Sequence, residues 1–328
     1  MPRAASFALL IGSAAALLLL PELINAYWLR IATGALMWAG LACSWNIIGG
    51  YAGYIDFGHS AFFGIGAYAT AIFMGGAFGW PFLATIPVGL LVAAALAAVI
   101  GGPTLRLRGA YFAIATWAFA ELLLQLANVL EVTGGTGGLS LPPFLDERFF
   151  YFAMLIATAV TYGLTWLLFE RSHFGLKVKA LRDHEPAAEA MGINTAAVKL
   201  QAYALSAALA AVFGSIFAYW VTFINPKSVL SGDITDQMVI MVLLGGLGSL
   251  WGPAVGGALL FFANRYVWMT WGDTAFYIVI LGVAIVLVVL FLPSGLAGLF
   301  GGRPAKPEHS VLRRVLARSF SRGPGGQA

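Results

Sequence analysis

Two groups of polar residues stand out in an otherwise apolar sequence, and each has a spacing that could serve chemistry. Asp56 and His59 are three residues apart in a glycine-dense stretch. The glycines fit close helix packing, and Asp56 and His59 could instead lie at an exit vestibule or bind an ion. Glu121 stands in the middle of an apolar run, with Thr116 and Gln125 about one turn away on either side. An ionisable group in such a run must face a polar interior or water. These residues predict either interhelical hydrogen bonds or a polar path.

The sequence carries no pattern typical of an enzyme. The run TGGTGGLS (133–140) is glycine-rich like a phosphate-binding loop, but it lacks the G-K-[ST] ending, and Pro142 and Pro143 interrupt the helix that should follow. Nucleophile-elbow, H-E-x-x-H and paired-cysteine motifs are absent, and the single cysteine, Cys43, cannot form an intramolecular disulfide. We therefore expect no catalytic residue, no metal site and no cofactor. We also expect no nucleic-acid partner, because no basic stripe is interleaved with aromatic residues.

The composition indicates that the elements positioning these residues are membrane helices. Of the 328 residues 60% are hydrophobic and only 10% are charged, and the mean hydropathy is +0.88. A soluble domain has about 25% charged residues. Runs such as 275–292 are apolar at nearly every position, whereas a transmembrane β-barrel would alternate. We predict an all-α fold, a polytopic integral membrane helical bundle.

Ten apolar segments predict about ten membrane entries, including short or broken helices. They are 6–20, 31–48, 60–79, 81–102, 110–130, 149–169, 200–221, 237–247, 254–271 and 274–292. The segment 237–247 is too short to cross a core of about 30 Å unaided, so it must be tilted, extended by neighbours or half of a broken helix. With both termini cytoplasmic, all of the 18 Lys and Arg residues except Arg30, Arg148, Lys227 and Arg265 fall on the cytoplasmic side, as positive charge in short loops favours. A cleavable N-terminal signal peptide is an alternative for the first segment.

Residues 170–199 form a polar island between two apolar segments. Leu176, Lys179 and Ala180 have helical spacing, Pro186 fits the first turn of a second helix, and Gly192 fits its end. We expect two short amphipathic helices on the cytoplasmic surface. They could be a solvated connection or could dock to a cytoplasmic partner.

The run RDHEPAAEAMGIN (182–194) resembles the cytoplasmic loop of ABC importer permeases, specifically the M-type permeases for branched-chain amino acids. Further blocks resemble the same family in the same order: NIIGGYAGYIDFGHSAFFGIGAYATA (46–71), LRLRGAYFAIATWAFAELL (105–123), TGGTGGLS (133–140), LLGGLGSLWGPAVGGALL (243–260) and FLPSGLAGLF (291–300). The resemblance covers about residues 30–300. One departure is Asp56, where the family more often has a small or different polar residue.

The resemblance implies a transmembrane permease domain over residues 1–300, with a coupling loop at 170–199. Residues 301–328 would be a basic cytoplasmic tail, disordered or on the membrane surface. The chain would be one subunit of an importer for leucine, isoleucine and valine in a bacterial cytoplasmic membrane. Its implied partners are a second permease subunit (heterodimer), two cytoplasmic ATPases that hydrolyse the ATP, an extracytoplasmic solute-binding protein and membrane lipid.

Two sets of site residues follow from this resemblance together with the residues themselves. The expected surface for ATPase coupling comprises Arg182, Asp183, Glu185, Ala188, Glu189 and Gly192. The expected translocation path comprises Glu121, Thr116, Gln125, Asp56 and His59.

Two other functions stay open at the level of sequence. A permease for urea or short-chain amides shares the glycine-rich blocks and differs in cargo. An ion-coupled secondary transporter needs mid-membrane charge pairs or inverted repeats, and the sequence offers only Glu121 and a loose similarity between two glycine-rich blocks.

Overall fold

The computed structural model describes residues 16–75, 78–271, 282 and 295–299. The predicted segments 6–20 and 274–292 lie largely outside these residues. The signal-peptide alternative and the tail 301–328 cannot be compared with the structure for the same reason.

Helices make up most of the described chain. In order they are α1 (Ala26–Asn46), α2 (His59–Met74), α3 (Phe82–Thr104), α4 (Ala110–Val129), α5 (Glu147–Thr165), α6 (His173–Asp183), α7 (Glu185–Ala190), α8 (Thr195–Val221), α9 (Pro226–Leu230), α10 (Gly232–Gly245), α11 (Gly252–Trp271) and α12 (Gly295–Leu299). Single π-helical turns, Ile47–Tyr51 and Trp166–Glu170, extend α1 and α5. Two strands, β1 (Leu139–Ser140) and β2 (Phe223–Ile224), pair antiparallel with Leu139 opposite Ile224.

Six helical segments among the described residues are long and apolar enough to cross a membrane. They are Ala26–Tyr51, Phe82–Thr104, Ala110–Val129, Glu147–Glu170, Thr195–Val221 and Pro226–Gly245. The prediction of a polytopic helical membrane protein is therefore confirmed, while the number of about ten segments and the side of the termini stay predictions. The short predicted segment 237–247 belongs to α10, which α9 precedes to make a 20-residue apolar unit.

Glycines let the central helices approach closely. A Cβ atom on Gly66 of α2 would overlap the carbonyl oxygen of Ala211 in α8, and one on Gly214 would overlap the carbonyl oxygen of Phe63. Small residues at helix contacts are the usual means of close packing in membranes, where the hydrophobic effect does not drive helices together. The centre of the bundle is formed by α8, which packs against α2 and α3, and by α1, which packs against α5 and α11.

The two ends of the bundle differ in character. One end carries α6, α7 and the breaks after α1 and α10, and we call it the α6–α7 end. The other carries β1, β2 and the Arg30–Glu147 ion pair, with Trp220 Nε1 donating to Glu147 at 2.9 Å.

Candidate functional site

The structure separates the predicted path residues into two places. Asp56, His59 and Thr116 are fully buried inside the chain. Glu121 is half-buried and Gln125 is exposed, and both lie on the outer side of α4. The five residues therefore do not line one common surface in this structure.

The buried group surrounds the break between α1 and α2. One Asp56 carboxylate oxygen accepts the Gly58 backbone N–H at 2.8 Å, and the other is 3.0 Å from His59 Nδ1. The second imidazole nitrogen, Nε2, is 3.4 Å from Ser44 Oγ, and Trp45 Nε1 donates to the Asp56 carbonyl oxygen at 2.7 Å. The break is thus tied to α1 by side chains that satisfy its polar groups, as burial requires.

Thr116 joins α4 to the same break. Its hydroxyl oxygen accepts the Phe57 backbone N–H at 3.1 Å. A Cβ atom on Gly58 would overlap the Thr116 carbonyl oxygen, so the two backbones are in direct contact. Asp56, His59 and Thr116 therefore form one internal cluster, although the sequence had grouped Thr116 with Glu121 and Gln125.

The outer side of α4 carries an ionisable residue, Glu121, hydrogen-bonded to a glutamine within a membrane segment. Gln125 Nε2 donates to Glu121 Oε1 at 2.6 Å, and the neighbouring Leu122 and Leu126 are exposed. An ionisable group in the bilayer core costs about 2.5–3.5 kcal/mol on insertion scales. This face is therefore unsuited to lipid alone and requires water or another protein.

Two acidic residues on α10 add to this face, and the sequence analysis missed them. Asp233 and Asp236 are exposed and lie within the apolar unit Pro226–Gly245. Helix α10 adjoins α4 where Gly232 meets the indole of Trp117, since a Cβ atom on Gly232 would lie 3.9 Å from its Nε1. Charged residues in an apolar segment were the available sequence signal, but the boundary predicted at residue 237 excluded them.

The polar segment 170–199 folds into the two predicted short helices. Ser172 caps α6 through the backbone N–H groups of Phe174 and Gly175, and His184 Nδ1 accepts the Ala187 N–H at the start of α7. Pro186 stands in the first turn of α7, and Gly192, with φ +82°, lies just beyond its end. The predicted helices, with their start and stop residues, are confirmed.

The six predicted coupling residues divide between the two sides of this segment. Asp183, Glu189 and Gly192 are exposed. Ala188 is buried, and Arg182 and Glu185 are half-buried against the bundle. The exposed side also presents Met191, at 83% exposure, and Leu176, at 65%.

Glu185 is held by three groups of the bundle that the sequence analysis did not single out. Lys199 Nζ donates to its Oε1 at 2.7 Å, Tyr54 donates its hydroxyl to Oε2 at 2.9 Å, and Arg108 Nε lies 3.4 Å from Oε2. The buried Lys199 also donates to the Leu105 carbonyl oxygen at 2.9 Å. Burial raises the pKa of Glu185, but the hydrogen bonds from Lys199 and Tyr54 and the positive charges outweigh it, so the net pKa is lowered.

A second carboxylate, that of Glu170, binds a tyrosine close to Tyr54 in the sequence. Tyr51 donates its hydroxyl to Glu170 Oε1 at 2.9 Å, and Lys179 Nζ donates to Glu170 Oε2 at 2.8 Å. The partners are 119 residues apart for Tyr51 and Glu170 and 131 apart for Tyr54 and Glu185, so no local pattern could have revealed them.

Arg182 lies between two glycine turns. A Cβ atom on Gly53 would lie 3.1 Å from Arg182 Cγ, and one on Gly248 would overlap Arg182 Nη1. Burial lowers the pKa of the Arg182 guanidinium, and the charge of Asp183 opposes this. Asn46, at the end of α1, is bonded to the second of these turns, since its side chain accepts the Gly248 N–H at 2.9 Å and donates to the Ser249 carbonyl oxygen at 2.9 Å.

The fold and these sites define a multi-pass helical membrane protein that has a charged helical segment packed on one end and acidic groups on one membrane face. The sequence model of the family described as branched-chain amino acid transport system / permease component matches residues 27–290. The chain belongs to this family.

Curated relatives share this assignment. The chain is 29% identical to the high-affinity branched-chain amino acid transport system permease protein LivM of Escherichia coli (strain K12) over 309 residues, which covers 84% of this chain and 71% of that protein. It is 27% identical to LivH of the same strain over 286 residues, 80% of this chain and 91% of the relative. It is 26% identical to BraD of Pseudomonas aeruginosa over 284 residues, with the same coverage. No solved structure matches.

Proposed function

We propose that this chain is a membrane-spanning subunit of an ATP-driven importer that carries leucine, isoleucine and valine across a bacterial cytoplasmic membrane. The observation that carries the proposal is the family match, which spans residues 27–290 and so covers the described bundle from α1 to α11. The names of these relatives describe high-affinity transport of branched-chain amino acids. ATP hydrolysis is assigned to separate subunits.

The second permease subunit is proposed to cover the outer face of α4 and α10. The relatives include both LivM and LivH proteins, which supports a pair of related permeases. Among the residues that the structure describes, Gln125, Asp233 and Asp236 are exposed and Glu121 is half-buried, and all four are poorly suited to lipid. A partner permease placed here would enclose them between two protein walls, where they line a hydrated translocation path.

Asp56, His59 and Thr116 enter this proposal at a different step. Asp56 lies in the break between α1 and α2, His59 begins α2, and Thr116 lies on the inner side of α4; all three are fully buried. They reach a path only in a state in which α4 or the break has moved. We therefore assign Glu121 and Gln125 to the path in this conformation, and the buried cluster to its alternative conformation.

The two cytoplasmic ATPases are proposed to dock on the exposed side of α6 and α7, which places this end of the bundle in the cytoplasm. Asp183 and Glu189 supply charge there, while Met191 supplies an apolar tip in an otherwise polar segment. Together with the exposed Leu176, Met191 gives this side the apolar contacts that an amphipathic helix uses when it lies in a partner's groove. Arg182, Glu185 and Ala188 belong to the inner side of the same coupling segment, and a solute-binding protein would dock at the opposite end.

The cargo is tested by uptake in cells. Radiolabelled leucine uptake is compared between cells that lack this chain and the same cells carrying it, with unlabelled isoleucine, valine or urea as competitor. We expect the chain to restore saturable leucine uptake, with competition by isoleucine and valine but not by urea. Restored uptake of urea in place of leucine would replace the cargo, and restoration of neither would contradict the proposed function.

A further inference from the structure

The backbone of residues 51–54 is attached to the coupling segment (residues 170–199) at three points. Tyr51 and Tyr54 each donate a hydroxyl hydrogen bond of 2.9 Å to a carboxylate, Glu170 and Glu185 respectively. Between them, Gly53 contacts the aliphatic part of Arg182. Hydrogen bonds to charged groups are about twice as strong as neutral ones, so these attachments are firm.

The attached stretch is the break between α1 and α2. It begins in the π-helical turn Ile47–Tyr51, and residues 52–58 are not helical. Gly53 has φ +79°, a conformation that favours glycine and ends the helical path of the chain. Isolated π-helical turns are frequent at functional sites, and a non-helical break is where a chain can bend without unfolding a helix.

This stretch leads directly into the buried cluster. Phe57 follows Tyr54 after only Ile55 and Asp56, and its backbone N–H donates to the Thr116 hydroxyl oxygen of α4. Asp56 in turn holds the Gly58 N–H and the His59 ring at the start of α2. A shift of Tyr54 is therefore passed along residues 55–58, of which Asp56, Phe57 and Gly58 are hydrogen-bonded, to the start of α2 and to α4.

We infer that the hydroxyl groups of Tyr51 and Tyr54 are the mechanical link between the coupling segment and the interior of the bundle, transmitting displacement of α6 and α7 to the Asp56–His59 cluster. Tyr54 is bonded to Glu185 of α7, and Tyr51 is connected to α6 through Glu170, which accepts a hydrogen bond from Lys179. The guanidinium of Arg182 reaches the turn at Gly248 as well, so the same displacement acts on the break between α10 and α11. Both tyrosines are positioning residues that act through Glu170 and Glu185. This inference rests on the proposed function, because it needs ATPases that move the segment.

The test uses the complete transporter, with both permeases, the ATPases and the binding protein, in vesicles. Leucine uptake and ATP hydrolysis are measured together for wild type and for the double variant Tyr51→Phe/Tyr54→Phe, which keeps both rings and removes both hydroxyl groups. The matched control is Tyr68→Phe, because the buried Tyr68 hydroxyl has no hydrogen-bond partner among the residues that the structure describes. We expect the double variant to hydrolyse ATP while leucine uptake per ATP falls by about a hundredfold, a factor of about ten for each of the two hydrogen bonds to a carboxylate that it removes. The control should keep the wild-type ratio.

A wild-type ratio in the double variant would overturn the link, and so would an equal loss in Tyr68→Phe. If wild type itself shows no ATP-dependent uptake, the proposed function fails, which is a distinct result. Where the double variant does not assemble, Tyr51→Phe alone is measured, because it leaves the hydrogen bonds of the Tyr54 hydroxyl to Glu185 and Lys199 intact. A tenfold loss of coupling supports the link through Glu170, and an unchanged ratio overturns it.

Discussion

At the scale of single residues, Asp56 shows how a polar group is accommodated in the interior. Its carboxylate is the partner of two buried donors, the Gly58 N–H and His59 Nδ1. Replacement by alanine leaves both without that partner, at about 1–3 kcal/mol each. We expect Asp56→Ala to lower the thermal midpoint of the detergent-solubilised protein clearly. The exposed Asp183→Ala is the control and should change stability by no more than about 0.5 kcal/mol. Equal midpoints for the two variants would contradict the bonded arrangement.

Glu185 gives the attachment of α7 a defined pH dependence. Its pKa in the folded protein is lowered, because its hydrogen bonds and neighbouring positive charges outweigh burial. A lowered pKa contributes stability that is present above the unfolded value of about 4.3 and is lost as the pH falls through the folded value. We expect the thermal midpoint of wild type to fall more than that of Glu185→Gln when the pH drops below about 4.3. A parallel fall of both proteins would show that Glu185 does not contribute.

At the scale of elements, the close approach of α2 and α8 depends on glycine. A Cβ atom on Gly66 would overlap the backbone of Ala211, whereas one on Gly102 of α3 meets open space. We expect Gly66→Ala to cost about 1–3 kcal/mol, as overpacking does. Gly102→Ala should be neutral or stabilising by up to about 1 kcal/mol, because alanine favours a helix. Thermal unfolding of the two variants measures the difference, and a tolerated Gly66→Ala would mean that the two helices are farther apart.

The elements were easier to predict from sequence than their faces. Apolar runs identify α1, α3 and α8, and Pro186 and Gly192 mark the two ends of α7. Buried and lipid-facing positions are equally apolar in a membrane protein, so the sequence could not show that α4 exposes one whole side. The hydrogen bond between Tyr54 and Glu185 could not be predicted either, because the two residues are 131 positions apart in the sequence.

For the molecule as a whole, we expect residues 170–199 and the turn at 131–137 to lie on opposite sides of the membrane. The one cysteine of the sequence, Cys43, is buried, so a thiol reagent would label only a cysteine introduced at an exposed position. Met191→Cys and Val132→Cys replace side chains that are 83% and 67% exposed. We expect a membrane-impermeant maleimide applied to intact cells with a permeable outer envelope to label Val132→Cys only. Met191→Cys should react after the inner membrane is opened, and labelling of both from outside would contradict the topology.

We propose that this chain moves its cargo only when partner ATPases hydrolyse ATP. The most direct measurement reconstitutes the purified complex in vesicles with the binding protein and leucine outside, and supplies ATP, a non-hydrolysable analogue or no nucleotide inside. Of these three conditions, we expect leucine to accumulate inside the vesicles only when ATP is supplied. Equal accumulation with the analogue or without nucleotide would contradict it and would favour a transporter that works without ATPases.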